Sequence, residues 1–129
     1  MQLSNLSLAY LVLELKPLLE GSIIRKVQQL NPAGFKLKLQ TRQGTKDLIL
    51  MEDAFFVSNH SFPVNDKPSN FTLKLKKHIL NKKILSLTQA GFERIVFIEL
   101  EGFYIVLEMF HNGNTLLLDK DKIIIDVLK

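Results

Sequence analysis

The sequence predicts an α+β domain built on an antiparallel β-sandwich of about eight or nine strands, with an N-terminal helix and a central basic helix. Three observations predict it. Short apolar segments recur between turn residues, helical spacing of apolar residues occurs in two places, and one of those places is rich in lysine. The chain has 129 residues, which suffices for a sizeable core, so residues 1–129 are expected to form a single domain.

Two segments have the apolar spacing of helices. The first runs from Asn5 to Glu20, and Gly21 follows it as a typical end signal, although Pro17 could kink or end the helix earlier. The second begins after Ser69, a residue type that caps helix N-termini, and runs to Asn81. Its core-facing residues are expected at four-residue intervals, at Phe71, Leu75 and Ile79.

The remaining apolar segments are predicted as strands, because each is short and bounded by turn residues. In chain order they are Ile23–Leu30, Phe35–Gln40, Asp47–Met51, Ala54–Ser58, Ile84–Thr88, Ile95–Leu100, Tyr104–Phe110, Thr115–Leu118 and Ile123–Val127. Turns are expected at Gln43-Gly44, Glu101-Gly102 and Asn112-Gly113. Residues 59–68 contain two prolines and are predicted as loop.

Positive charge is concentrated in one segment. Lys67 to Lys83 contains six lysines, one histidine and no acidic residue, whereas the rest of the chain has 11 basic and 13 acidic residues. The net charge of +4 therefore arises in this segment. Clustered lysines bind phosphate backbones by displacing counterions, so the segment predicts a nucleic-acid contact. The alternative is a solvated helix face, although no carboxylate lies four residues from these lysines within the segment.

Several function classes are not indicated. The chain has no cysteine, its three histidines (His60, His78 and His111) are scattered, and Asp119 to Lys122 lacks the glycine and distal glutamate of a calcium loop. We therefore expect no metal and no cofactor. No nucleophile elbow or phosphate loop is present, which predicts a binding domain rather than an enzyme. Without a signal peptide or an apolar span of membrane length, the chain is expected to be cytoplasmic, with no membrane partner.

The order of motifs along the chain resembles the N-terminal domain of the NFACT family, and the resemblance rests on the motifs together rather than on any one of them. The motifs are Glu14-Leu15, Gly21, Pro68-Ser69-Asn70-Phe71, Lys77-His78-Ile79, Lys82-Lys83-Ile84, Glu93-Arg94-Ile95 and the run from Glu108 to Asp119. The family includes eukaryotic and archaeal ribosome-quality-control factors, and its bacterial relatives are often labelled fibronectin-binding or fibrinogen-binding proteins. The chain resembles the archaeal type, over nearly its whole length.

The resemblance implies a domain that binds tRNA and the large ribosomal subunit carrying a stalled nascent chain, and that supports template-free tailing of the nascent chain's C-terminus. It also implies a fold similar to the N-terminal domain of formamidopyrimidine-type DNA glycosylases. Full-length members contain further domains, so a fragment of a longer protein is expected. Candidate RNA-binding residues are Lys74, Lys77, His78, Lys82 and Lys83, with Glu93 and Arg94 expected to orient tRNA.

The chain departs from the family pattern at two positions. Glu93 stands where the family usually has aspartate, and Ser7 stands where it often has an acidic residue. These departures bear on tailing more than on binding. Two alternatives remain open: a protein-interaction or adhesin-like module that binds a partner strand at a sheet edge, and a glycosylase-like enzyme. The second is disfavoured, because those enzymes use an N-terminal Pro-Glu and this chain begins Met1-Gln2-Leu3.

Overall fold

The structure is a computed structural model that describes residues 5–30, 34–51, 54–58, 64, 67–91, 93–109 and 113–128. Its elements in chain order are α1 (Asn5–Leu19), β1 (Ile23–Leu30), β2 (Gly34–Thr41), β3 (Gly44–Met51), β4 (Phe55–Ser58), α2 (Asn70–Ile79), β5 (Ile84–Gln89), β6 (Ile95–Leu100), β7 (Phe103–Glu108), β8 (Thr115–Asp119) and β9 (Ile124–Val127). The predicted α+β order of helix, four strands, helix and five strands is confirmed.

The strands form two antiparallel sheets. The first has the order β1-β2-β3-β4 and the second the order β5-β6-β7-β8-β9, so within each sheet every strand pairs with its neighbours in sequence. Gly44, the first residue of β3, and Gly102, in the turn before β7, adopt φ values of 90° and 88°, a conformation that costs glycine little. The predicted Gln43-Gly44 and Glu101-Gly102 turns are confirmed. The predicted turn at Asn112-Gly113 involves Asn112, which lies outside the described residues.

Both sheets and both helices contribute to one hydrophobic core. Its buried members include Leu8 and Leu15 from α1, and Phe71 and Leu75 from α2. The sheets contribute alternate residues, among them Val27, Leu37, Leu39, Leu48, Ile98, Ile105, Leu107 and Leu117. Because alternate residues of a strand point to opposite faces, each sheet presents one face to this shared core.

Backbone hydrogen bonds join the two sheets next to the lysine-rich segment. The amide of Ile24 in β1 donates to the carbonyl of Lys82 at 3.0 Å, and the amide of Asn81 donates to the carbonyl of Ile24 at 2.7 Å. A single bridge between Ile23 and Lys83 continues this contact. The backbone that carries Lys82 and Lys83 is therefore fixed to the first strand of the other sheet.

The ends of the helices agree with the predictions to within one or two residues. Helix α1 includes Pro17, as the predicted range did, and ends at Leu19, one residue before the predicted Glu20; Gly21 lies just beyond it with a φ of 90°. The predicted cap of α2 is confirmed, because the Ser69 hydroxyl accepts a hydrogen bond from the Thr72 amide at 3.2 Å. Helix α2 ends at Ile79, two residues before the predicted end at Asn81, which adopts a left-handed φ of 66°.

Candidate nucleic-acid interface

Helix α2 carries its basic residues on three different sides. Its buried side consists of Phe71, Thr72, Leu75 and Ile79. Successive residues of an α-helix are rotated by about 100°, so Lys74 and His78 lie on one flank of that side and Lys76 on the other. Lys77 points away from the core. All three lysines are exposed, whereas His78 is half-buried.

The flank with Lys74 and His78 faces the second sheet. Lys74 Nζ lies 3.9 Å from Oδ2 of Asp126 in β9, so a carboxylate offsets part of its charge. The His78 Nδ1–H donates to the Lys74 carbonyl at 2.8 Å, and the ring meets that of Phe103 edge-on with centroids 5.2 Å apart. His78 is therefore held by packing, and sequence reasoning could not anticipate this because Phe103 is 25 residues away in the chain.

The flank with Lys76 borders an open groove between α2 and β1, which we call the β1–α2 groove. One part encloses about 290 Å³ and is lined by Arg25, Lys26, Val27, Gln28, Lys76 and Leu80. Arg25 lies at a bulge in β1, where the pairing with β2 shifts between Ile24 and Lys26. Its Nε donates to Gln40 Oε1 at 2.9 Å and its Nη1 to Asn81 Oδ1 at 3.1 Å. The groove thus brings three cationic side chains together.

Lys82 and Lys83 follow the helix, where the backbone is tied to β1. Lys82 is half-buried and Lys83 is exposed. The Lys83 amide donates to Oε1 of Glu101 at 2.8 Å, which places a second carboxylate next to the predicted cationic surface. The predicted lysines are therefore solvent-accessible, but two of them have an acidic neighbour that only the tertiary structure reveals.

Glu93 and Arg94 lie in the turn between β5 and β6, and both are at least partly solvent-accessible. The turn is ordered by backbone bonds: the Glu93 amide donates to the Ala90 carbonyl at 3.0 Å, and the Met109 amide donates to the Arg94 carbonyl at 2.7 Å. At about 3.3 Å per strand residue, this turn is about 20 Å from Lys83 at the other end of β5. The structure does not gather the predicted residues into one cluster.

The predicted set of candidate residues does not include Arg25, Lys26 and Lys76, which line the β1–α2 groove. Lys76 belongs to the lysine-rich segment, but only the structure shows that it lies on the flank of α2 next to β1. The signal that could have suggested the other two is the pair of adjacent cations, Arg25 and Lys26, within a predicted strand. Among the residues of the described ranges, no group of three or more His, Cys, Asp or Glu side chains is arranged to hold a metal ion. Within those ranges, no helix has the length and apolar character of a membrane span.

Curated proteins that resemble the chain are ribosome quality control proteins. The chain is 30% identical over 126 residues to Ribosome quality control complex subunit 2 of Saccharomyces cerevisiae, covering 94% of this chain and 12% of the relative. It is 26% identical to human Ribosome quality control complex subunit NEMF, covering 98% of this chain and 12% of the relative. An archaeal Rqc2 homolog from Methanocaldococcus jannaschii is 25% identical, over 99% of this chain and 21% of the relative. The chain therefore spans about an eighth of the yeast and human proteins.

Two solved structures share the fold. The N-terminal domain of the fibronectin-binding protein PavA from Streptococcus pneumoniae has a TM-score of 0.92 at 23% identity, covering 99% of this chain and 56% of that one. The N-terminal part of the fibronectin/fibrinogen-binding protein from Streptococcus suis has a TM-score of 0.93 at 20% identity, covering 99% and 54%. A sequence model of the NFACT N-terminal and middle domains matches residues 4–129. The chain therefore belongs to the NFACT family, as an N-terminal domain of that family.

Proposed function

We propose that this chain is a non-catalytic RNA-binding domain of a ribosome-quality-control factor, acting in the cytoplasm on tRNA and on the large ribosomal subunit with its nascent chain. The observation that carries the proposal is the exposed cationic surface of α2 and the residues after it. Lys77 and Lys83 are exposed there, and the backbone of the segment is fixed to β1. Relatives named as ribosome quality control proteins support it.

In this proposal the two regions of the surface have different roles. Lys74, Lys77, Lys82 and Lys83 contact phosphates, with His78 helping to shape that surface from its half-buried position. Glu93 and Arg94 contact tRNA from the β5–β6 turn, where the planar guanidinium of arginine suits phosphate or base recognition. Support for template-free tailing belongs to the whole protein, and Ser7 and Glu93 are the positions at which this chain departs from the expected pattern.

The test is RNA binding by a charge-reversal variant with a matched control. We expect Lys77→Glu, Lys82→Glu and Lys83→Gln together to abolish tRNA binding, and to leave the thermal midpoint nearly unchanged because these side chains lie outside the core. Lys74 is omitted and Lys83 is only made neutral, since a glutamate at these positions would repel Asp126 and Glu101 respectively. The control carries Arg42→Glu, Lys46→Glu and Lys120→Gln, which changes the net charge equally. Equal tRNA affinity in the two variants at low salt would remove the assignment to this surface.

A second candidate is a protein-interaction module of the fibronectin-binding type, and one observation favours it. Strand β9 is an edge strand; its first residue, Ile124, is 58% exposed, and the preceding Ile123 is 63% exposed. An extended peptide could add to such an edge. The two candidates differ in salt dependence: RNA binding falls steeply as salt rises, whereas strand addition through backbone hydrogen bonds and apolar contacts does not.

We further propose that the fold of this chain is similar to that of the N-terminal domain of formamidopyrimidine-type DNA glycosylases. It does not carry an enzymatic proposal, because the described residues offer no catalytic constellation that we can assign. If the purified chain incised DNA containing abasic or damaged sites, it would be a glycosylase-like enzyme, and the proposed non-catalytic binding role would be wrong.

A further inference from the structure

The β1–α2 groove continues beyond its cationic end. A second part of about 160 Å³ shares Val27, Gln28 and Lys76 with the first and is lined further along by Gln29, Val64, Pro68, Thr72 and Leu73. One end is therefore cationic, and the other is apolar with amide groups. We propose that this groove binds a single-stranded RNA segment, with phosphate at the cationic end and a base at the apolar end. The proposal rests on the RNA-binding function proposed above and assigns it to residues outside the predicted set.

Charge distinguishes this groove from the rest of the basic surface. Arg25, Lys26 and Lys76 line its cationic end, and none of the described residues that line it is acidic. On the other sides of α2 and its following turn, by contrast, Asp126 lies near Lys74 and Glu101 binds the Lys83 amide. A phosphate in the groove would therefore meet cations without a competing carboxylate in its lining.

A pair of like charges adjoins the groove. Lys26 of β1 lies directly opposite Lys38 of β2, and Gln28 lies opposite Lys36, so the cationic surface extends from the groove across the second strand. Asp47 of β3 follows Lys38 in the same cross-strand row. Like charges directly opposite each other destabilise a sheet. Asp47 offsets part of that repulsion on the Lys38 side, and a bound polyanion would offset more of it on the Lys26 side.

Arg25 is held in a fixed orientation at the cationic end. The bulge displaces it from the regular pairing of β1, and the side-chain oxygens of Gln40 and Asn81 accept hydrogen bonds from its Nε and Nη1. A guanidinium that is already oriented loses less conformational entropy when it binds a phosphate, and its planar fork suits phosphate oxygens. The Arg25 guanidinium is thus already oriented before a phosphate binds in the groove.

The apolar end offers a place for an unstacked base. Leu73 is 52% exposed and Val64 36% exposed, and Pro68 lies beside them. Gln29 is engaged in the cap of α2, where its Oε1 accepts bonds from the Ser69 amide at 2.6 Å and the Thr72 hydroxyl at 2.8 Å, so this wall is rigid. Sequence-tolerant contacts to unstacked bases are typical of single-stranded RNA binding, whereas a duplex keeps its bases stacked.

The main experiment measures fluorescence anisotropy of a labelled single-stranded RNA oligonucleotide with the 129-residue chain. The groove variant carries Arg25→Gln, Lys26→Gln and Lys76→Gln, and the control carries Arg42→Gln, Lys46→Gln and Lys120→Gln. We expect the groove variant to lose affinity about tenfold or more, and its salt slope to fall by about two, since each phosphate contact of a single strand contributes about 0.7. The control should bind like the unmodified chain. Equal losses in both variants would overturn the groove assignment.

Further measurements distinguish the two ends of the groove, RNA from an acidic peptide as its occupant, and the groove proposal from the proposal for the α2 surface. Leu73→Asn should weaken binding several-fold without changing the salt slope, because it removes apolar surface and no charge; unchanged affinity would overturn the base site. An acidic peptide that displaced the RNA at equal concentration would overturn RNA as the occupant. No RNA binding by the unmodified chain would remove both proposals, whereas binding that needs the groove but not Lys77, Lys82 and Lys83 would remove only the α2 assignment.

Discussion

Phe71 shows how one residue links the basic helix to the core. Its side chain is 4% exposed, and its ring lies 5.6 Å from that of Phe35 in β2 at an angle of 52°. Tilted aromatic pairs at this distance add to the gain from burial. Because the ring fixes α2 against the first sheet, the position of every lysine on the helix depends on it.

We expect Phe71→Ala to destabilise the chain by about 3–5 kcal/mol, since it removes a large buried side chain and leaves a cavity. Urea unfolding followed by circular dichroism would measure the change. Leu73→Ala on the same helix is the control, and its half-exposed side chain predicts a change within about 0.5 kcal/mol. Similar losses in the two variants would show that Phe71 does not anchor the helix.

Arg94 tests the proposed role of the β5–β6 turn. In the full-length protein, Arg94→Ala should weaken tRNA binding more than binding to the large ribosomal subunit, because subunit contacts are expected to extend over other domains. Arg94→Lys serves as the control for charge alone, since lysine lacks the planar fork. The two affinities would be measured separately. If both fell together, or neither changed, the pair of Glu93 and Arg94 would not be a tRNA contact.

At the scale of elements, the end of α1 protects an edge of the second sheet. Strand β5 is an edge strand, and both backbone groups of Leu87 in its middle are hydrogen-bonded by Lys16 of α1 and by Glu20, the residue after that helix. The Lys16 ammonium donates to the Leu87 carbonyl at 3.0 Å, and the Leu87 amide donates to Glu20 Oε2 at 3.0 Å. Lys16 also pairs with Glu20. Such covering blocks strand addition, so β5 is a poor site for a partner strand.

This contact predicts a stability change in acid. Desolvation by burial raises the pKa of Glu20, but the hydrogen bonds from Lys16 and the Leu87 amide, together with the charge of Lys16, outweigh it and hold the pKa below its ordinary value of 4.5. The stabilisation is therefore present above about pH 4.5 and is lost as pH falls through the lower folded-state pKa.

The measurement is the thermal midpoint of the unmodified chain and of Glu20→Gln between neutral pH and about pH 3. We expect the variant to lose less stability than the unmodified chain over the acid part of that range. Glu14→Gln, which changes an exposed carboxylate of α1, should follow the unmodified chain. Parallel curves for Glu20→Gln and the unmodified chain would contradict the role of Glu20.

At the scale of the whole molecule, the shared core predicts cooperative unfolding. Residues of both sheets and both helices form one apolar cluster, so neither sheet can keep its buried face if the other unfolds. We expect one calorimetric transition, with equal calorimetric and van't Hoff enthalpies. Leu37→Ala in the first sheet and Ile98→Ala in the second should lower the same transition. Two separable transitions would contradict the prediction that residues 1–129 form one domain.

The element order could be predicted from local patterns in the sequence. Strict alternation in β2, the glycine turns before β3 and β7, and Ser69 before α2 each act within a few residues, so they specify local structure without knowledge of the fold. The differences fall at helix ends: α1 ends at Leu19, one residue before the predicted Glu20, and α2 ends at Ile79, two residues before Asn81. The end of a helix depends on tertiary packing and on backbone bonds such as that from the Asn81 amide to the Ile24 carbonyl.

Composition and spacing along the chain suffice to predict the fold class, the concentration of positive charge between Lys67 and Lys83, and which face of α2 is buried. The neighbours of each lysine, by contrast, depend on the tertiary structure. Asp126 meets Lys74, whereas Arg25 and Lys26 meet Lys76 across a groove, and these neighbours are about 50 residues away in the chain. Electrostatic interactions depend on distance in space, and periodicity along the sequence does not specify that distance between elements.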